Sequence, residues 1–370
     1  MLRELLAPFM RANRPKEAGW VKGITVHTGS KLGHNSVHAE NTRKLARLLP
    51  ENGYKIIATG GGCAGKMGVL NETAISAGAH LYGISLTFFD AAQGEGYEGQ
   101  KAAVSVETMH ERMLVMRQGQ SYLADKPQYR RQFEKLAGFE GTQIGVSDVG
   151  SIGTMEEFFE WLISRNGIMK PQVVLNHDGY YEPLKRFLEG GSDNLYKQGL
   201  DVQRVEFAKT PEKLIEKINF LNSFSPIRET DHECMKQNRW REFVEEYDHA
   251  FVVKAGAPLT VMSRIFSYLT GYDVSTIPGQ TLWRHDVIKP FIFEGGYYKG
   301  IEGQIDNATA EGFLAEDRKE KFFRFVSDVT KARQVARQFN DAPVRPQHLK
   351  AKHSEGAAQI SIEVPIAAIT

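Results

Sequence analysis

The chain has 370 residues, which suggests two domains because a single hydrophobic core seldom grows beyond about 250–300 residues. Its 46 basic and 45 acidic residues nearly balance, so we expect no nucleic-acid partner. No apolar run approaches the length of a membrane span, and we expect no membrane partner. Two cysteines lie far apart, in no metal-binding spacing. They favour a reducing compartment, with the cytoplasm as the default and no metal site.

The first predicted strand, over residues 23–28, ends in a short polar turn. Gly29 and Ser30 form this turn, which could hold a phosphate or a ribose. A helix with leucines on its apolar side is predicted over residues 37–49. This strand and helix begin a strand–helix alternation that continues along the next part of the chain.

A glycine-rich turn follows the second predicted strand, over residues 55–59. It contains three consecutive glycines, Gly60, Gly61 and Gly62. A helix and a strand over residues 80–86 come next, and this βαβ pattern indicates a parallel sheet. The glycines allow the backbone to approach a ligand closely. Lys66 does not have the spacing of a P-loop, and no acidic residue ends the next strand as a dinucleotide site requires.

An arginine occurs early in the next helix, which Thr108 caps after the strand over residues 102–105. Met109 and Met113 lie on the buried side of this helix, so Arg112 must point elsewhere. A cation in the first turns of a helix opposes the helix dipole, and a carboxylate or phosphate opposite Arg112 would compensate for it. A solvated surface arginine is the alternative.

The stretch from Val149 to Leu162 begins with a turn and continues as a helix with regular apolar spacing. The residues of the turn are Gly150, Ser151, Gly153 and Thr154. Such a turn presents free N–H groups and the positive end of the helix dipole, which together favour a phosphate. Glu157 would then lie beside the sugar next to that phosphate. Alternatively, Thr154 and Glu157 form a capping box, in which the glutamate has no chemical role.

These segments together resemble the Lonely Guy family, the cytokinin riboside 5′-monophosphate phosphoribohydrolases that are often mislabelled as lysine decarboxylases. The family's Gly-Gly-Gly-x-x-Gly-x-Met-Gly corresponds to residues 60–68, and its Met-His-x-Arg to residues 109–112. Its Pro-Gly-Gly-x-Gly-Thr-x-x-Glu corresponds to residues 149–157. The resemblance covers about residues 20–222 in collinear order.

The resemblance implies a doubly wound parallel α/β sheet of the Rossmann-like type and a homodimer or higher homo-oligomer. It also implies hydrolysis of a nucleoside 5′-monophosphate to free base and ribose 5-phosphate, without a cofactor. Glu157 would stabilise the ribosyl cation or activate water, and Arg112 would position Glu157. The phosphate would bind Gly150, Ser151, Gly153 and Thr154. The rest of the nucleotide would contact Gly29, Ser30, Gly60, Gly61, Gly62 and Met109.

Three departures from the family pattern put the released base in doubt. Val149 replaces the family's proline, and Ser151 replaces its second glycine. An extra segment of about twenty residues, roughly 118–140, precedes the turn. Its aromatic and arginine side chains could stack on a base, or the segment could be a basic surface helix. The candidates for stacking are Tyr122, Tyr129, Arg130, Arg131 and Phe133.

Two other functions remain open for the same fold. One is a non-catalytic nucleotide sensor, and the other is transfer of the ribosyl group to an acceptor other than water. The relaxed turn at Val149–Ser151 favours the sensor, whereas the presence of both Arg112 and Glu157 argues against it.

Residues 223–370 resemble no family and are predicted to form a second, smaller α+β domain of unknown role. We assign residues 1–19 to an N-terminal extension and residues 20–222 to a nucleotide-binding α/β domain. The elements predicted in the second domain are a strand over 250–254, a helix over 258–270, a hairpin of 290–293 with 297–301, and a long helix over 310–339.

Overall fold

The structure is a computed structural model. It describes residues 23–87, 98–162, 170–190, 205–222, 240–257, 259–270 and 289–338. The expected N-terminal extension lies outside these ranges. None of the helices within them is long and apolar enough to cross a membrane.

A seven-stranded sheet forms the first part of the molecule, and all its neighbouring strands are parallel. Its strands are β1 (Gly23–His27), β2 (Ile56–Thr59), β3 (His80–Leu86), β4 (Ala102–Val106), β5 (Ile144–Ser147), β6 (Gln172–Leu175) and β7 (Val205–Ala208). The spatial order is β4-β3-β2-β1-β5-β6-β7, so the chain order reverses between β1 and β5. The predicted doubly wound fold is confirmed, and a ligand crevice is expected at that reversal.

Helices cover both faces of this sheet, and its central strands are buried along their whole length. They are α1 (Ser36–Glu51), α2 (Gly65–Ser76), α3 (Met109–Gln118), α4 (Arg130–Lys135), α5 (Ile152–Leu162), α6 (Glu182–Gly190) and α7 (Pro211–Asn222). Helix α5 is buried on all sides, which is unusual for a helix at the surface of a sheet. A second layer of protein must therefore cover it.

That layer contains a four-stranded mixed sheet in the order β11-β10-β9-β8, in which only β8 is antiparallel to its neighbour among the described strands. Its strands are β8 (Val244–Glu246), β9 (Phe251–Val253), β10 (Phe291–Glu294) and β11 (Phe323–Val326). The accompanying helices are α8 (Trp240–Phe243), α9 (Leu259–Thr270), α10 (Gly295–Ala310), α11 (Glu316–Phe322) and α12 (Val329–Gln338). The largest apolar cluster of the described residues contains side chains from both sheets.

Two predictions about this second sheet were wrong. The hairpin around Gly295 does not form, because β10 pairs in parallel with β9 and β11 and Gly295 opens helix α10. The long helix over 310–339 is two helices with strand β11 between them. Asp328 restarts the helix after β11, since its carboxylate accepts the N–H of Lys331 at 2.8 Å.

The extra segment packs against the outer edge of the first sheet, beside β4. Tyr129 is buried, and its hydroxyl donates to the Glu111 carboxylate at 2.7 Å. Gln132 donates to the main-chain oxygen of Ser105 at 3.2 Å. Arg130 and Arg131 are exposed to solvent. Tyr129 is therefore a packing residue with no face free to stack on a base.

Candidate active site

The loops that follow β1, β2 and β5 meet at the point where the strand order reverses. A Cβ atom on Gly29 would lie 3.3 Å from the Cα of Gly150, so these two loops are in contact. A Cβ atom on Gly60 would lie only 2.5 Å from the guanidinium of Arg112. Glycine at these positions thus lets three backbone segments converge on one crevice.

Arg112 and Glu157 face each other in this crevice. Their Nη2 and Oε1 atoms are 2.8 Å apart, and each side chain is only 6% exposed. Arg112 is held in place by donating from Nε to the main-chain oxygen of Ile84 at 2.8 Å and from Nη1 to Met109 Sδ at 3.3 Å. The alternative of a solvated arginine is therefore wrong. The ion pair therefore joins Arg112 on α3 to Glu157 on α5.

The pKa of Glu157 reflects two opposing effects. Burial raises the pKa of this carboxyl above its ordinary value, and the neighbouring Arg112 guanidinium lowers it. The net direction is upward. A carboxylate in this setting is poorly solvated, so it interacts strongly with any positive charge that develops beside it.

The turn before α5 leaves backbone donors free. Helix α5 begins at Ile152, so Thr154 lies inside the first turn and is not the capping residue. Met155 donates its N–H to the main-chain oxygen of Ser151 at 3.1 Å. Within the described residues, the preceding N–H groups, from Ser151 to Thr154, have no protein acceptor. Ser151 and Gly153 are partly exposed, and the positive end of the helix dipole lies here.

Two tyrosines hold this turn in position from behind. The Tyr180 hydroxyl donates to the main-chain oxygen of Gly150 at 2.5 Å. The Tyr181 hydroxyl donates to the main-chain oxygen of Asp148 at 2.8 Å. Both tyrosines are buried, and burial raises the pKa of each phenol, so they remain protonated donors.

A buried ion pair below the turn was not predicted. Lys66 Nζ lies 3.0 Å from the Asp148 carboxylate, both side chains are fully buried, and Lys66 also donates to the main-chain oxygen of Val149. Thr28 and Thr42 donate to the same carboxylate at 3.0 and 2.5 Å. Burial lowers the pKa of Lys66 to about 8 despite the opposite charge. Lys66 therefore ties the β2 loop to the β5 loop instead of reaching a ligand phosphate.

His27 is a second residue that sequence reasoning missed. It is fully buried at the end of β1, and its Nδ1 lies 3.6 Å from Glu157 Oε2. Within the described residues, neither ring nitrogen has a hydrogen-bond partner. Burial, together with Arg112 and Arg117, lowers the pKa of His27 to about 3, so the ring is neutral. No group of three or more metal-ligating side chains is assembled among the residues that the structure describes.

Fold and site together define the class: a doubly wound α/β protein with a free helix N-terminus and a buried arginine–glutamate pair at the strand-order reversal. A family model described as "Possible lysine decarboxylase" matches residues 145–218. A probable cytokinin riboside 5′-monophosphate phosphoribohydrolase of Oryza sativa subsp. japonica is 26% identical over 228 residues, covering 61% of this chain and 82% of that protein. A cytokinin riboside 5′-monophosphate phosphoribohydrolase of Rhodococcoides fascians is 27% identical over 171 residues, covering 45% of this chain and 74% of that protein.

Two solved structures are more distantly similar. The molybdenum cofactor binding protein from Rippkaea orientalis has a TM-score of 0.37 and 18% identity, covering 55% of this chain and 99% of that one. The molybdenum cofactor carrier protein from Chlamydomonas reinhardtii has a TM-score of 0.34 and 16% identity, covering 54% of this chain and 98% of that one. The sequence comparisons confirm the resemblance to the Lonely Guy phosphoribohydrolases. The family model and these relatives match only part of this chain.

Proposed function

We propose that this protein hydrolyses the N-glycosidic bond of a nucleoside 5′-monophosphate, releasing free base and ribose 5-phosphate. One observation carries the proposal: the Arg112–Glu157 pair, 2.8 Å apart, lies one helical turn from free N–H groups at the start of α5. This arrangement would let the ribose lie beside Glu157 while its 5′-phosphate binds the start of the helix.

Cleavage of the N-glycosidic bond gives the ribose an oxocarbenium-like positive charge. Glu157 would stabilise that charge and orient or deprotonate the attacking water, and Arg112 would fix the position of Glu157. His27 would restrict the second carboxylate oxygen of Glu157 without adding a competing positive charge, because its ring is neutral.

The phosphate would bind the N–H groups of the turn, with the Thr154 hydroxyl as a further donor. These groups belong to Gly150, Ser151, Gly153 and Thr154. The rest of the nucleotide would lie against the walls of the crevice. The residues of these walls are Gly29, Ser30, Gly60, Gly61, Gly62 and Met109. In this scheme, residues 20–222 form the reacting domain, residues 223–370 form the second domain, and the protein acts in the cytoplasm.

The test is release of free base from a panel of nucleoside 5′-monophosphates, followed by chromatography. We expect base and ribose 5-phosphate in equal amounts from at least one member of the panel. Tight binding with no release from any member would identify a sensor. A ribosyl conjugate in place of ribose 5-phosphate would identify a transferase. Glu134→Gln is a matched control, since Glu134 is exposed and pairs only weakly with Arg130.

A further inference from the structure

The four-stranded sheet repeats the second half of the seven-stranded sheet. Strands β5, β6 and β7 alternate with α5, α6 and α7, and strands β9, β10 and β11 alternate with α9, α10–α11 and α12. The strand registers also agree. In the first set Gln172 pairs with Gly145 and Val205. In the second set Phe291 pairs with Phe251 and Phe323. These two units are named the first repeat (residues 144–222) and the second repeat (residues 244–338).

The same hydrogen bonds recur at matching positions of the two repeats. Tyr181 donates its hydroxyl to the main-chain oxygen of Asp148, at the end of β5, over 2.8 Å. Tyr298 donates its hydroxyl to the main-chain oxygen of Lys254, at the end of β9, also over 2.8 Å. The amides of Gly145 and Phe251 donate to the carbonyl oxygens of Pro171 and Pro290, at 3.0 and 2.8 Å. These matches align the repeats residue by residue.

The alignment is visible in the sequence once the structure supplies it. Lys170-Pro171 before β6 corresponds to Lys289-Pro290 before β10. Gly179-Tyr180-Tyr181 corresponds to Gly296-Tyr297-Tyr298, and Gly150 corresponds to Gly256. The shared residues lie where the backbone frame needs a proline, a glycine or a buried phenol.

The two repeats pack against each other through equivalent helices. On α5 and α9, the Phe159 and Phe266 rings stack with centroids 5.5 Å apart, and Ser263 donates to Glu160 at 2.6 Å. On α6 and α10, the Phe187 and Tyr298 rings stack with centroids 6.1 Å apart. In a two-fold symmetric dimer each surface meets its own copy. The repeats therefore pair as two copies of one chain would.

The second repeat keeps the hydrogen bonds described above but lacks the site residues of the first repeat. Ser263 stands at the position of Glu157, and Lys254 stands at the position of Asp148. The Ala257 N–H, at the position of the Ser151 N–H, is also occupied within the protein, because it donates to the Tyr298 hydroxyl at 3.2 Å. Next to it, the Glu294 carboxylate accepts the Ala255 N–H at 3.0 Å, and its negative charge opposes the binding of a phosphate at this turn.

We propose that the second repeat is a diverged internal copy of the first and serves as a built-in partner. It covers the α5–α6 surface through which two copies of the first repeat would otherwise pair. The chain is accordingly a monomer with a single reaction site, in place of the homodimer that the family resemblance implies. The proposal concerns the assembly, and it holds whether or not the reaction proposed above is the right one.

The molar mass of the full-length chain tests this proposal. Size-exclusion chromatography with light scattering should give the monomer mass of 41.5 kDa across roughly a hundredfold range of protein concentration. A dimer mass anywhere in that range would overturn the proposal. Neither result depends on base release, so failure of the assembly and failure of the reaction are distinguishable.

Hydrogen exchange of the α5 and α6 amides gives a second readout on the same samples. A built-in partner protects these helices to the same degree at every concentration, because the contact is intramolecular. We expect exchange rates that do not change on dilution. Rates that rise on dilution would show that a second chain provides the cover, and the proposal would then be wrong. Peptides from α1, on the other side of the first sheet, serve as the internal control.

Discussion

The turns after β5 and β9 share the same backbone hydrogen bonds but differ in whether their N–H groups are free. Both are held by a tyrosine hydroxyl on the last main-chain oxygen of the strand. The first turn leaves its N–H groups free beside a buried glutamate, whereas in the second turn the Ala257 N–H, at the position of Ser151, donates to the Tyr298 hydroxyl. The backbone of each turn depends on a few buried hydrogen-bond donors, whereas the proposed reaction depends on other side chains. A repeat can therefore keep its backbone arrangement after losing the reactive side chains.

The largest expected effect comes from the charges below the two turns. Lys66→Met leaves the Asp148 carboxylate buried without its cation, and we expect a loss of about 3–5 kcal/mol in the free energy of unfolding. The matched variant is Lys254→Met in the second turn, where the side chain is 31% exposed and lies 3.9 Å from Glu245. That change should cost less than about 1 kcal/mol. Urea denaturation of both variants measures the difference, and equal losses would contradict this account.

The second prediction concerns the reacting carboxylate and its counterpart. Glu157→Gln should lower kcat/KM for base release by about 10²-fold or more, because the amide cannot stabilise the ribosyl cation. Ser263→Ala, at the matching position of the second repeat, should retain most of the activity. Initial rates with the best monophosphate of the panel test both. A Glu157→Gln variant with full activity would remove Glu157 from the mechanism.

The third prediction is a pH dependence of stability that arises from the buried His27 beside Glu157. His27 has a pKa near 3 when folded and about 6.5 when unfolded, so the unfolded chain binds the extra proton as the pH falls between these values. Stability is therefore complete above pH 6.5 and declines below it. Relative to wild type, His27→Leu should gain about 2 kcal/mol at pH 5 compared with pH 7. Urea denaturation of wild type and His27→Leu at pH 5 and pH 7 tests this prediction. An equal loss of stability in both proteins between pH 7 and pH 5 would contradict it.

The last prediction concerns a contact between the two repeats. Ser267 donates to the fully buried Glu156 carboxylate, and Ser267→Ala should lower the free energy of unfolding by about 1–3 kcal/mol. Ser121→Ala is the control, because Ser121 is exposed and bonds only to the nearby Gln118 oxygen. A thermal melt of each variant is sufficient. No change for Ser267→Ala would mean that this contact adds nothing to the pairing of the repeats.

Local sequence patterns were sufficient to predict most of the first sheet. Glycine turns after apolar strands, followed by apolar residues at helical spacing, predict a parallel sheet because each pattern depends on near neighbours. The same periodicity predicted the buried methionines of α3 but not the contact of Arg112 with Met109 at 3.3 Å. The patterns were less informative for residues 290–339, where glycine pairs and charged runs occur in hairpins and long helices as well as at strand–helix junctions.

By itself, the sequence determined the strand–helix alternation up to residue 222 and named the glutamate, the arginine and the turn that come together. Only the tertiary structure decided that Lys66 pairs with Asp148, that His27 lies beside Glu157, and that residues 244–338 have the same strand–helix arrangement as residues 144–222. The reason is physical. Periodicity and turn chemistry act over a few residues, whereas the Lys66–Asp148 ion pair and the Tyr298–Lys254 hydrogen bond join residues 82 and 44 positions apart in the chain.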